Sequence, residues 1–313
     1  MNNFPHLETK GFLAFIADNS ALGIHQAGQN GVASLVPKST GNNIFVPTHG
    51  GLNFQMVWFP GLTPYPRKFE PRLEAMHIEK ADRTSVVLVQ PETSHVHVNA
   101  RITFTVEEPH YLHQRIELKF HRRFCPEGKP NRLESLWASY IHMPPDRHVY
   151  LKPDLSAGDE LAWWFGVTRD AHSSRGWLVR PLPQDKEIDP EEHLRAMHLH
   201  APLLEHEPTN MLGRPWATVT LPRILDHPLS FYYGFCHDSL TYLAMFKPAQ
   251  HVRLAYSPVG GGMSPAWSPA WDYVLHLHDA QLDTTYVWNV CIAVKPFVSR
   301  RDILSEVRRY QSQ

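Results

Sequence analysis

The feature that most constrains the fold is a series of short alternating or β-branched runs, with turns between them at short intervals. Residues 95–106 read HVHVNARITFTV and residues 284–294 read TTYVWNVCIAV, and both follow the two-residue period of a strand. The 27 prolines are spread through the chain and favour short strands joined by long turns. The pattern predicts an all-β fold, a sandwich or a barrel, rather than βαβ units. Further predicted strands cover 84–90, 114–120, 160–167, 216–221, 229–236, 241–246, 251–257 and 271–278.

Two short helices are predicted within this β-rich chain. Asp189-Pro190-Glu191-Glu192 has an N-cap, a proline at the first helical position and an acid at the third. Ser299 and Asp302 form the same kind of start for the C-terminal segment RRDILSEVRRY. Because no low-complexity linker divides the sequence, we predict a single domain over residues 1–313. Residues 181–212 are the best candidate for an insertion or a lid.

Charge and composition exclude several classes of partner. The net charge is −1 and the pI is near 7.1, so neither nucleic acid nor an acidic membrane surface is expected as a partner. No apolar run approaches the roughly 18 residues that a membrane span needs. The first 20 residues lack the basic start of a signal peptide, and the three cysteines contain no C-x-x-C pair. We therefore expect a cytoplasmic protein, with an oligomeric state that the sequence does not indicate.

A loop rich in glycine and tryptophan joins two of the predicted strands. It contains the three glycines at 260–262, then two Pro-Ala-Trp repeats that end in Trp267 and Trp271, and then Asp272. Paired indole rings beside a carboxylate suit a flat, hydroxylated ligand such as a sugar, because a ring stacks and the acid accepts hydrogen bonds. The alternative is that these tryptophans fill the hydrophobic core.

The 21 histidines include pairs that could bind a metal ion. His95 and His97 lie two residues apart on a predicted strand, as do His276 and His278, so each pair shares a face. A zinc site needs a third ligand, and none lies at a diagnostic spacing. We therefore predict no metal and no other cofactor, and we keep a histidine-liganded metal enzyme as an alternative.

Three residues form the candidate catalytic set. His110 and His142 each follow a predicted strand at a proline-rich turn, and Asp272 follows the tryptophan loop. Two imidazoles and a carboxylate can move protons on a sugar ring, provided that they meet in space. Candidate substrate-binding residues accompany them, namely Arg72, Trp137, Tyr140, Trp267 and Trp271.

Several segments together resemble a known group of proteins. GLNF (51–54), EPHY (108–111), WASYIHMP (137–144) and SPVGGG…PAWDY followed by KPF (295–297) are similar to a group of uncharacterised bacterial proteins related to galactose mutarotase. The resemblance spans about residues 20 to 310. It implies the β-supersandwich fold, which is a large antiparallel β-sandwich, and a carbohydrate substrate. Aldose epimerases use a strand-end histidine as general acid and a carboxylate as base, and the nearest counterparts here are His142 and Asp272.

The sequence thus predicts a carbohydrate-active protein that performs acid/base chemistry on a sugar or uronic acid, of the epimerase, isomerase or lyase type. The partner is expected to be a small-molecule carbohydrate. Two alternatives stay open: a non-catalytic carbohydrate-binding protein on the same fold, and the metal enzyme named above.

Overall fold

The structure is a computed structural model. It describes residues 4–19, 30–59, 69–152, 155, 164–169, 177–181, 209–210, 219–220, 229–257 and 268–313. The predicted helix at 189–192, nearly all of the 181–212 segment, Trp267 and the three glycines lie outside these residues. No helix in the described part of the chain is long and apolar enough to cross a membrane.

The described residues form nineteen strands and two helices. The helices are α1 (Glu70–Leu73) and α2 (Arg300–Ser312). The strands are β1 (His6–Glu8), β2 (Phe12–Ala17), β3 (Gly31–Pro37), β4 (Asn53–Trp58), β5 (His77–Ala81), β6 (Ser85–Gln90), β7 (Val98–Glu107), β8 (Tyr111–Phe120), β9 (Leu133–Ala138), β10 (Val149–Leu151), β11 (Phe165–Arg169), β12 (Trp177–Pro181), β13 (Thr209–Asn210), β14 (Val219–Thr220), β15 (Phe231–His237), β16 (Leu240–Phe246), β17 (Val252–Ser257), β18 (Ala270–Leu277) and β19 (Thr285–Pro296).

Two antiparallel sheets dominate this architecture. The larger has ten strands in the order β12-β11-β10-β15-β16-β19-β8-β7-β6-β5, and the smaller has four in the order β17-β18-β9-β4. A three-stranded sheet, β1-β2-β3, and a short β13-β14 pair complete the described strands. The all-β fold that the alternation predicted is therefore confirmed, and it has the form of the large antiparallel β-sandwich that the resemblance implied.

The main core lies between the ten-stranded and four-stranded sheets. Tyr273 of β18 reaches across and donates a hydrogen bond to Gln114 Oε1 of β8 over 2.6 Å. Trp271 points the same way, and its ring lies so close to Gly234 of β15 that a Cβ at that glycine would be only 2.3 Å from the indole. Since side chains alternate along a strand, Asp272 between these two residues must point to the opposite face.

The other face of the ten-stranded sheet is covered by α2. Ile303, Leu304 and Val307 of the helix are buried against this sheet with Tyr111 and Cys291. The predicted start of the helix is confirmed, because the Ser299 hydroxyl accepts a hydrogen bond from the Asp302 N–H over 3.1 Å. The molecule therefore has at least three layers: helix, large sheet and small sheet.

Candidate functional site

The candidate site lies on the face of the four-stranded sheet that points away from the main core, which we call the outer face. It is largely apolar, and a small group of polar side chains is set into it. Because nearly all of the apolar members are buried, a charge enclosed among them is poorly solvated. The apolar members are Val46, Met56, Trp58, Phe69, Leu136, Ala138, Tyr140, Ala255, Ala270 and Val274.

Asp272 of β18 is the buried acid of the outer face. Only 6% of its surface is exposed, and its Oδ1 accepts a hydrogen bond from the Ser139 N–H over 2.9 Å. Burial raises the pKa of the carboxyl group to about 8, although the Ser139 N–H opposes part of this rise. Asp272 is therefore mostly protonated at neutral pH, and it can both give and take a proton near that pH.

Tyr140 and Gln55 lie beside Asp272. The Tyr140 hydroxyl donates to Gln55 Oε1 over 2.7 Å. Gln55 is the extra residue of a bulge in β4, between Phe54 and Met56, and the bulge lets its side chain reach the outer face. Burial raises the pKa of Tyr140, and the negative charge of Asp272 raises it further. The phenol therefore stays neutral at neutral pH.

His49 packs against the Tyr140 ring, with their ring centroids 4.6 Å apart. It is 6% exposed, and its Nδ1 lies 2.8 Å from Thr48 Oγ1. Burial lowers the pKa of His49, and the nearby positive charge of Arg72 lowers it further. Because its pKa lies below the ordinary histidine value of about 6.5, the imidazole is neutral at neutral pH.

Arg72 supplies the positive charge of this group, which we call the Asp272 cluster (Asp272, Tyr140, Gln55, His49 and Arg72). Its guanidinium lies 5.9 Å from the Phe69 ring centroid, and its Nε is buried without a hydrogen-bond partner. Across the described ranges, no carboxylate forms an ion pair with Arg72. The residue as a whole is half-buried, and a partly desolvated guanidinium without a counter-charge is costly, so its donors are available to a ligand.

Helix α1, which carries Arg72, is fixed to the fold by buried amide side chains. Asn19 Nδ2 donates to Arg72 O over 3.1 Å and to Glu74 O over 2.9 Å. Gln90 Nε2 donates to Pro71 O over 2.7 Å. These amides replace the packing that a four-residue helix lacks, and they fix the backbone from which the Arg72 side chain extends.

A buried carboxylate anchors the same helix to the turn before β7. Glu70 is 1% exposed and accepts hydrogen bonds from the N–H groups of His95, over 2.8 Å, and Val96, over 2.6 Å. Burial opposes its ionisation, but the Val96 N–H and the Ser94 hydroxyl outweigh burial and keep the pKa of Glu70 below its usual range. Glu70 is thus an ionised anchor for α1.

Glu70, Glu74 and His95 also lie close enough together to contact one cation, with their ligand atoms within 4.8 Å of one another. However, the Glu70 oxygens are already occupied by N–H groups, and the Ser94 hydroxyl bonds to both carboxylates. We therefore interpret the group as a structural anchor.

The predicted His-x-His pairs are placed differently from the expectation. His95 and His97 precede β7, in a turn where His97 has φ of 50°, so they do not share a strand face. Each ring bonds to its own acid, at Glu70 Oε1 over 2.6 Å and at Glu92 Oε1 over 2.7 Å. His276 lies in β18, with its Nδ1 3.3 Å from Glu134 Oε1. His198 and His200 form a further His-x-His pair in the sequence, at the end of the predicted helix that begins near Asp189, and they lie outside the described residues.

The structure does not bring His110 or His142 into contact with Asp272 among the residues it describes. The His110 ring lies on the α2 side of the ten-stranded sheet, with Nε2 3.8 Å from Glu306 Oε1. His142 donates its backbone N–H to Ile44 O over 2.8 Å, and its ring lies near His237. The two imidazoles therefore do not meet Asp272 as expected.

The expectation that Trp137 and Trp271 stack on a ligand is also wrong, because of where their side chains lie. Trp137 and Trp271 are both 0% exposed, and they point into the main core. Trp137 stacks on Phe54 with a centroid separation of 4.7 Å. Inward-pointing indoles present no face to a ligand on the outer face, so here they are core residues.

Two residues of the cluster, His49 and Gln55, were not predicted from the sequence. The signal for His49 was the sequence Thr-His-Gly-Gly before a strand, where Gly50 has φ of 66° and lets the chain turn sharply. The signal for Gln55 was weaker, because a bulge cannot be seen in an unbroken strand sequence. By contrast, Arg72, Tyr140 and Asp272 were all predicted, and the structure places all three in this cluster.

Comparisons with known proteins give likenesses of overall shape. No protein-family model matches the chain, and no curated protein matches it in sequence. Among solved structures, it is similar to an Escherichia coli K12 protein assigned provisionally as an aldose 1-epimerase, with 9% identity, a TM-score of 0.48 and coverage of 94% of this chain and 99% of that chain. It is also similar to HI1317, with 10% identity, a TM-score of 0.46 and 94% of each chain covered.

A third similar structure is heparan sulfate lyase HepC from Pedobacter heparinus, with 8% identity and a TM-score of 0.40. That match covers 94% of this chain but only 37% of the lyase. At TM-scores below 0.5 we draw no conclusion from these likenesses. The function proposed below rests on the residues of the outer face.

Proposed function

We propose that the outer face binds a carbohydrate at the Asp272 cluster and that Asp272 transfers protons to and from it. The observation that carries the proposal is the buried Asp272 carboxyl, whose one hydrogen bond to a described residue is the Ser139 N–H, over 2.9 Å. A carboxyl group with a pKa of about 8 is matched to acid/base work near neutral pH.

The groups around Asp272 suit a hydroxylated ligand. A phenol, an amide, an imidazole and a guanidinium surround the acid, and each can donate to or accept from a sugar hydroxyl. The surface beside the acid is formed by the short side chains of Ala138, Ala255 and Ala270. The sequence resemblance to the galactose mutarotase group also favours a sugar.

Proton transfer on such a ligand would use both forms of Asp272. The protonated carboxyl donates to a ring or glycosidic oxygen, and the resulting carboxylate removes a proton from a hydroxyl or a carbon on the same sugar. Tyr140 and His49, both neutral at pH 7, hold the sugar by hydrogen bonds. This sequence of steps fits the epimerase, isomerase and lyase types alike, because all of them need one acid and one base.

The test compares two carboxylates that each accept a backbone N–H. Asp272→Asn removes the acid of the outer face, whereas Asp279→Asn removes an exposed carboxylate that accepts the Asn131 N–H over 2.7 Å. Wild type and both variants are assayed by NMR exchange spectroscopy and polarimetry on a panel of aldoses and uronic acids. We expect Asp272→Asn to lower the rate about 10²-fold or more and Asp279→Asn to leave it unchanged.

Two results would count against catalysis by Asp272. Equal rates for both variants, on a sugar that the wild type converts, would remove Asp272 from the mechanism. Binding by calorimetry without conversion of any sugar would favour the alternative, a non-catalytic carbohydrate-binding protein on the same fold.

A further inference from the structure

The distribution of charge in the Asp272 cluster points to the kind of sugar that it takes, an inference that rests on the proposed function. Asp272 has no cation within hydrogen-bonding distance, and Arg72 has no carboxylate partner, among the residues that the structure describes. Tyr140, Gln55 and His49 add only neutral groups at neutral pH. The cluster therefore presents one unpaired guanidinium in an otherwise uncharged, apolar setting.

The two acidic neighbours of Arg72 do not neutralise it. Glu70 lies two residues before Arg72 in α1, where side chains two apart diverge. Glu74 lies two residues after Arg72, just beyond the end of the helix and in extended conformation. Glu70 is turned to the N–H groups of His95 and Val96, and Glu74 accepts hydrogen bonds from Ser94. Both carboxylates are thus directed at the turn before β7 and away from the Arg72 donors.

We propose that the ligand of the outer face carries a carboxylate, as a uronic acid does, and that the Arg72 guanidinium binds this carboxylate. A planar guanidinium pairs with a carboxylate through two parallel N–H···O bonds, and the buried Nε is one of the donors that such a pair uses. A neutral sugar would leave this half-buried guanidinium without a counter-charge and would not match the charge of its buried Nε–H donor.

The anchoring of α1 adds to this preference. Hydrogen bonds from Asn19 and Gln90 to the α1 carbonyls, together with the Glu70 anchor, fix the helix before any ligand arrives. A cation on a fixed backbone loses less conformational entropy on binding than one on a mobile loop. The site is therefore arranged in advance for an anion, and the protonated Asp272 does not repel it.

The experiment uses pairs of sugars that differ only at C6. Galacturonate is compared with galactose, and glucuronate with glucose, by calorimetry at pH 7 on the full-length protein. We expect at least a tenfold higher affinity for the uronate of one pair. Arg72→Gln should bring the two affinities of that pair together, and Arg72→Lys, which keeps the charge but loses the planar fork, should retain part of the preference. Arg83→Gln, at an exposed turn, is the matched control and should change nothing.

A second readout does not need a ligand. Because the charge of Arg72 lowers the pKa of His49, Arg72→Gln should raise that pKa, followed by the His49 ring resonances in an NMR titration. An unchanged His49 titration would show that the guanidinium does not act in this cluster, and the proposal would be overturned.

The possible results separate the two proposals. If uronate and neutral sugar bind equally well, the preference for a carboxylate is refuted and the sugar site stands. If none of the four sugars binds, both proposals fail. If the preference persists in Arg72→Gln, the carboxylate is bound by another residue and the role given to Arg72 is wrong.

Discussion

Replacing Asp272 by asparagine should stabilise the protein, and by an amount that grows with pH. In the folded chain, burial raises the pKa of Asp272 to about 8. In the unfolded chain the same carboxyl group ionises near an ordinary aspartate pKa of about 3.9. Between these two values the unfolded chain releases a proton that the folded chain keeps, so the free energy of unfolding falls as the pH rises.

The size of this effect follows from the difference in pKa. Each pH unit between the two values costs the wild type about 1.4 kcal/mol. From pH 5 to pH 8, the advantage of Asp272→Asn should therefore grow by about 4 kcal/mol, and it should level off above pH 8. The substitution leaves the size of the side chain almost unchanged, and the amide oxygen can still accept the Ser139 N–H.

The assay is urea denaturation of wild type, Asp272→Asn and the control Asp279→Asn at pH 5, 6, 7 and 8. The control removes an exposed carboxylate, so its difference from wild type should stay within about 0.5 kcal/mol. If the Asp272→Asn difference did not depend on pH, the carboxyl group would already be ionised in the folded protein. The reasoning from burial would then be refuted, and with it the role of Asp272 as an acid at neutral pH.

Three further predictions concern the surroundings of this acid. In calorimetry, the affinity for a uronate should fall at least tenfold between pH 6.5 and pH 9.5, because ionised Asp272 repels the bound carboxylate. The affinity for the neutral sugar should change less. If both affinities fell equally with pH, this prediction would be contradicted. Glu70→Gln should loosen α1 and so move the Arg72 charge away from His49. The pKa of His49 should then rise in an NMR titration, as it should in Arg72→Gln. An unchanged His49 pKa would show that Glu70 does not position Arg72. Glu306→Gln should lower the free energy of unfolding in urea by about 3 kcal/mol, because Glu306 of α2 pairs with Lys295 of the ten-stranded sheet. It should leave sugar binding unchanged, because this contact lies on the far side of that sheet from the outer face; a loss of binding would mean that the two faces are coupled.

The class of fold could be predicted from the sequence because strand alternation is a local signal. The runs at 114–120, 229–236 and 284–294 correspond to β8, β15 and β19, with ends that differ by a few residues. The α2 start was also predictable, since a serine N-cap with an acid three residues later is a local pattern. The pairing of β16 with β19, by contrast, joins segments about fifty residues apart, and alternation carries no information about which strands become neighbours.

The site was predicted only in part, for a physical reason. A strand alternates between two faces, but its sequence does not tell which face meets the core when both are apolar. Trp271 and Asp272 are adjacent, and the sequence interpretation assigned both to the ligand, whereas the pleat sends one inward and the other outward. The same uncertainty about faces explains the wrong expectation for His110. Its ring lies on the α2 side of the ten-stranded sheet, whereas Asp272 lies on the outer face of the other sheet.

A comparison of three buried or partly buried carboxyl groups, Glu70, Glu306 and Asp272, shows why the outer face is singled out. Glu70 accepts several N–H and hydroxyl donors, and Glu306 accepts from Lys295 over 2.6 Å and from the Tyr111 hydroxyl over 2.6 Å. For both, burial works against ionisation, but these partners outweigh it and keep the pKa low. Asp272 has one backbone N–H from a described residue, and its pKa moves the other way. The described part of the fold thus gives Glu70 and Glu306 many hydrogen-bond donors but gives Asp272 only one, which lowers the stability of the protein at neutral pH. Such a cost in stability is typical of functional sites. At Asp272 the same lack of donors keeps a proton on the carboxyl group, where it is available for transfer.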